Sequence, residues 1–155
     1  MSVTDRTTPE GDRFMKELRE LTGLEVFVGF QRGEKHSDAE ADTIDIAAWN
    51  ELGTSNGIPS RPFLRQAFDN NAADIDATLS AAAKMIQSGA SAQQAASVVG
   101  AKMKALVQKE IVDGGFRSNA DSTKKRKKSD VPLIDTGHMR QSVSFVIRKK
   151  GSGEE

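Results

Sequence analysis

The chain has no cysteine and no tyrosine, one tryptophan, Trp49, and only two histidines, His36 and His138, in 155 residues. Without thiols there is no disulfide framework, no thiolate zinc site and no cysteine nucleophile, and the composition suits a reducing compartment. No run approaches the roughly 18 apolar residues that a membrane-spanning helix needs. The first thirty residues carry Asp5, Glu10 and Asp12 where a secretory signal would hold an unbroken apolar stretch. The expectation is a protein that is soluble, touches no membrane and is made in the cytoplasm. Its length suits one core, burying about two-thirds of the surface that the unfolded chain exposes.

Catalytic signatures are equally scarce. There is no Walker phosphate loop, G-x-S-x-G elbow, H-E-x-x-H pair or dinucleotide fingerprint. His36 sits in a charged stretch and reads as a solvated loop residue, and His138 has no second histidine at ligand spacing. Asp135-Thr136-Gly137 matches the triplet of aspartic proteases, whose paired carboxylates share a proton. That fold places most of its strands after the aspartate, whereas 18 residues follow Gly137 here. The triplet therefore reads as a capped turn, with Asp135 or Thr136 accepting backbone N–H groups and Gly137 allowing tight geometry. No enzyme, cofactor or metal is expected.

Formal net charge is zero, but its distribution is uneven. Residues 1–116 hold 12 Lys and Arg against 17 Asp and Glu, and residues 117–150 hold 10 against 3. The excess centres on Lys124, Lys125, Arg126, Lys127 and Lys128. Such a run suits a DNA backbone or an acidic protein face, and no aromatic residue interleaves with it to stack on bases.

Periodicity predicts an α+β domain: a small antiparallel sheet from an N-terminal and a C-terminal strand, packed with four to five helices that include a long helical hairpin. Residues 1–11 are expected to form a flexible arm, residues 12–148 the domain with a mobile basic loop at 115–131, and residues 149–155 a flexible tail. Asp12 would open a helix carrying Phe14, Leu18 and Leu21, with Gly23 as its stop. Leu24, Val26, Val28 and Phe30 alternate as one strand face, and Val143, Phe145 and Ile147 form the partner strand.

A helix from Thr43 sets Ile44, Ala47, Ala48 and Leu52 on one side, with Trp49 expected in the core. From Pro62 to Gly89, Leu64, Phe68, Ile75, Leu79, Ala82 and Ile86 recur at helical spacing. One straight helix there would exceed about 35 Å, so it either lies along a neighbouring subunit or splits, with Asn70-Asn71 as the weak point. Ser91-Ala92-Gln93-Gln94 forms a capping box for the next helix, whose band is Ala95, Val98, Val99, Met103, Leu106 and Ile111. Gly100 inside it suggests a close approach.

The most specific pattern is Asn50-Glu51-Leu52-Gly53-Thr54 followed by Pro59-Ser60-Arg61-Pro62-Phe63-Leu64. Gly53 can close a helix at positive φ, Ile58 before Pro59 is held extended, and Ser60 with Pro62 marks a new helix start. Glu51 in a last helical turn opposes the helix dipole and needs compensation, for which Arg61 is the nearest candidate. With Pro132-Leu133-Ile134-Asp135-Thr136-Gly137 downstream, the order of motifs from about Val26 to Ile147 resembles the tail-completion or neck proteins of tailed bacteriophages, including minor tail protein Z-like chains.

That resemblance implies a structural virion protein at the head–tail junction, assembled in the host cytoplasm. It would form a ring, hexameric in comparable tail components, against tail tube or tail terminator proteins and the head connector. Asn50, Glu51, Gly53, Pro59, Arg61, Pro62, Phe63, Asp135, Thr136 and Gly137 are its motif residues. Lys124 to Lys128 form a denser run than the family pattern carries, and their contact with packaged DNA or a neighbouring subunit is read from charge alone. The alternative is a small sequence-independent nucleic-acid-binding module that uses the same run.

Overall fold

A computed structural model describes residues 7–33, 41–116 and 137–152. Among them are six helices and one two-stranded antiparallel sheet, an α+β fold. The order is α1 (Pro9–Thr22), β1 (Leu24–Gly29), α2 (Thr43–Leu52), α3 (Phe63–Asp69), α4 (Ala72–Gln87), α5 (Ala92–Asp113), α6 (His138–Gln141) and β2 (Ser144–Lys149). The helix count exceeds the four to five expected because the 62–89 segment divides and because α6, one turn long, is too short to leave a periodic signal.

The capping box forms as the sequence predicts: Ser91 Oγ accepts from Gln94 N and Gln94 Oε1 accepts from Ser91 N. The 22-residue α5 that follows threads both apolar cores. Ala95, Val99, Met103 and Leu106 pack with Ala82 and Ile86 of α4, with Phe14 and Leu21 of α1 at the edge. One turn later, Val107 and Ile111 pack with Ala47, Phe63, Ala67, Met139 and Val143. Val98, expected in the band, is largely exposed.

The sheet lies across α5. β1 and β2 pair antiparallel with Val26 opposite Ile147 and Val28 opposite Phe145, as their alternation requires. The close approach at Gly100 is to this sheet and not to another helix: a Cβ there would stand 2.2 Å from Phe145 Cδ2. Phe27, on the outward face, is half exposed under the Arg148 guanidinium, 5.6 Å from the ring centroid.

Asn70-Asn71 is where α3 ends and α4 begins. Asn71 Nδ2 donates to Ala67 O, a side-chain bond that competes with continued helix. The split removes any need for a neighbour along a single long helix.

Three expected boundaries move. α1 starts at Pro9 and not at Asp12, because Thr8 accepts from Gly11 N as the N-cap and Pro9 suits the first helical turn. Residues 9–11, expected in the arm, are the first turn of α1. Phe116, placed in the expected loop, packs against the first core. Lys149, expected in the C-terminal tail, ends β2, and Lys150 N donates to Gly23 O.

α1 has no fully buried residue and is tied down by two side chains from its middle turns. Arg13 donates to Gly89 O and Ile86 O at the end of α4, and Glu17 Oε2 accepts from Ala92 N at the start of α5. A cation thus meets the negative end of one helix and an anion the positive end of the next.

Gly100→Ala is expected to cost about 1–3 kcal/mol in urea unfolding through overpacking. Adding Phe145→Leu should recover part of that loss, whereas strictly additive effects would mean that the ring is not what the new methyl meets.

Candidate functional site

The corner between α2 and α3 is built from the residues that carry the family resemblance. Gly53 closes α2 at φ +76°, and a Cβ there would lie 2.9 Å from Ser60 N, so both conformation and space demand glycine. Thr54 N donates to Ile58 O, and Ile58 N donates to Thr54 Oγ1, which folds residues 54–58 into a closed turn. The chain then returns beside the end of α2. Ser60 Oγ donates to Glu51 O at 2.8 Å, and Arg61 N donates to Asn50 O at 2.6 Å.

Pro62 has φ −77° and ψ 61°, and Phe63 N donates to Arg61 O across it. That is an inverse γ-turn, a three-residue reversal that aims α3 out of the corner. It drives Phe63 into the first core, where its ring is fully buried and meets Phe30 edge-on at a centroid distance of 6.0 Å.

Glu51 is compensated by backbone, not by the guanidinium proposed for it. Its Oε2 accepts from Leu64 N at 2.8 Å and its Oε1 from Arg65 N at 3.2 Å. A carboxylate at the end of one helix thus caps the N-terminus of the next, where the dipole favours negative charge. This also explains why Ser60, a good capping residue, is free to hold the end of α2. Arg61 is buried and donates to Asn50 Oδ1 at 2.7 Å. Burial pushes its guanidinium down from the ordinary value, yet that value lies so far above neutrality that the side chain stays a cation.

The later motif is described only at its end. Gly137 adopts φ +76° and ψ 0°, the left-handed geometry expected of a turn glycine, and precedes α6. Met139 from that turn is buried in the first core, and Ser142 Oγ lies 3.3 Å from His138 Nδ1. Asp135, Thr136, the basic residues Lys124 to Lys128 and His36 lie outside the described residues. Among the described residues, no three His, Cys, Asp or Glu side chains are gathered closely enough to hold a metal ion, and no helix is long and apolar enough to cross a membrane.

Trp49 is not in the core. It is 43% exposed; of the side of α2 expected to pack, Ala47 is buried and Ile44 half-buried, whereas Ala48 is exposed and Leu52 is 71% exposed. The face that packs is Thr43 and Ala47. Rotation of α2 follows from its end, where Asn50 must face Arg61 and Glu51 must face α3. Phe68 and Leu79, assigned to an inward stripe, are likewise 41% and 50% exposed.

Comparison with protein-family models, with curated proteins and with solved structures finds no match to this chain.

Replacing Glu51 by Ala should lower the unfolding free energy by about 1–2 kcal/mol, with a smaller loss for Glu51→Gln, which keeps an acceptor. An unchanged denaturation midpoint in Glu51→Ala would mean that α3 starts without this cap.

Proposed function

We propose that the protein is a structural component of a phage neck, a subunit of a ring that completes the tail and joins it to the head connector. The observation that carries this reading is the α2–α3 corner. Asn50, Glu51, Gly53, Arg61, Pro62 and Phe63, on which the family resemblance rests, form one hydrogen-bonded and packed unit. The hydrogen bonds given for that unit hold the end of α2 against the start of α3.

A second feature supports an assembling subunit. Large apolar side chains remain at the surface on several elements, among them Trp49, Leu52, Phe68 and Leu79, in a chain with few bulky residues to spare. Where such side chains lie together at a surface they mark contact with other proteins. In this reading the partners are further copies of the chain, hexameric by analogy with comparable tail components, then tail tube or terminator proteins and the connector. The run Lys124 to Lys128 would face packaged DNA or an acidic neighbour, and the protein would end in the virion.

The test is removal of the chain from the source phage. Heads and tails should accumulate unjoined, and purified wild-type protein added to the extract should restore infectious particles. Normal particles without the protein would overturn the proposal. If the purified chain instead bound duplex DNA with an affinity that fell steeply with salt and vanished on neutralising Lys124 to Lys128, the nucleic-acid-binding reading would replace it.

A further inference from the structure

The turn that closes the α2–α3 corner contains Asn56-Gly57, the one place in the chain where glycine follows an asparagine. Asn50, Asn70, Asn71 and Asn119 precede Glu51, Asn71, Ala72 and Ala120. Residues 54–57 form a four-residue turn in which Gly57 N donates to Thr54 O at 3.2 Å. Asn56 takes its third position and glycine its fourth, where such turns favour it. Ser55, Asn56 and Gly57 are all exposed.

The side-chain carbonyl carbon of an asparagine can close a five-membered ring with the backbone nitrogen of the next residue, whose own side chain normally shields that nitrogen. Gly57 has no side chain and a φ of +103°, and nothing beyond its chain neighbours lies within 4 Å of where a Cβ would stand. The Asn56 amide makes no hydrogen bond among the described residues. The other described asparagines are engaged: Asn50 Nδ2 donates to Ile46 O, Asn70 Nδ2 to Glu110 Oε1 and Asn71 Nδ2 to Ala67 O.

We propose that Asn56 is a site of spontaneous covalent modification, deamidation through a cyclic imide. In the first step Gly57 N gives up its proton and bonds to Asn56 Cγ, the Cγ–Nδ2 bond breaks, and the nitrogen leaves with that proton as ammonia. Water then adds to one of the two ring carbonyls. Opening at Cγ restores the ordinary backbone with an aspartate side chain. Opening at the backbone carbonyl leaves the chain running through Cβ and Cγ, an isoaspartate. Either way a neutral amide becomes a carboxylate, and water is the only co-reactant. The reaction does not depend on what the chain assembles with.

The fold sets both rate and consequence. Attack requires Gly57 N–H to leave Thr54 O, and a hydrogen bond of this kind favours the closed turn by a net factor of about 2 to 12. The folded chain should therefore react about 2- to 12-fold more slowly than the unfolded chain. Isoaspartate adds an atom to the backbone inside the loop that Thr54 N closes on Ile58 O and Ile58 N closes on Thr54 Oγ1. Those bonds cannot keep their geometry around a longer backbone, so the corner loosens. Aspartate leaves the backbone as it was.

The full chain, folded and in urea, would be incubated in water enriched in oxygen-18, at neutral pH and two units above, and followed by peptide mass mapping. The peptide that spans residue 56 should lose ammonia and gain one heavy oxygen, faster at the higher pH because the attacking nitrogen must lose a proton. An aspartate-specific protease should separate two products, since it cuts at aspartate and not at isoaspartate. Asn56→Ser should stop the reaction. The isoaspartate fraction should be cut more readily at residues 54–58 by a non-specific protease, whereas Asn56→Asp should resist as the wild-type chain does.

A folded chain that stays unconverted while the unfolded chain reacts would make the turn protective and overturn the proposal. Conversion that begins at another asparagine, or that brings in no heavy oxygen, would overturn it too. An isoaspartate fraction as resistant to protease as the wild-type chain would contradict the loosening of the corner.

Discussion

α5 is the element on which the other described parts depend, because both apolar cores are built on it. Its first half takes α4 and α1, and its last turns take α3, Ala47 of α2, α6 and the approach to β2. Gly100, midway, is where the sheet comes closest, with the Phe145 ring in the space a side chain would fill. A two-stranded sheet has little stability alone. Here it is held by that seat, and its register brings residues 24–29 and 144–149 together beside α5.

Helix ends in this fold are satisfied from a distance. Arg13 and Glu17 serve the α4–α5 turn from more than seventy residues away, and Glu51 serves α3 across the corner. Each bond closes a loop between elements as well as meeting unpaired backbone groups. The corner is stiff as a result, and stiffness there has a consequence at the surface: α2 is turned so that its polar end residues face inward, and Trp49 and Leu52 are left outside. The same hydrogen bonds that fix the angle between α2 and α3 therefore leave these apolar side chains at the surface.

Much of the fold was legible in the sequence where a single local rule applied. The strand pairing followed from alternation, the start of α5 from its capping box, the end of α2 from Gly53, and the Gly137 turn from its residue type. What was not legible depended on two segments meeting. Glu51 could be seen to need compensation, but only the returning chain decides that the backbone of Leu64 and Arg65 supplies it. Apolar periodicity placed Leu52, Phe68 and Leu79 inward, although periodicity reports a stripe and not what covers it. The signal for Trp49 was present in the composition of α2, because six apolar residues spread around a ten-residue helix cannot all be buried against one small core.

The most direct measurement is cryo-electron microscopy of intact particles from the source lysate, with this chain fitted to the density between head and tail. The account predicts an ordered ring of identical subunits at that level. Particles with a complete neck and no density for this fold would contradict it.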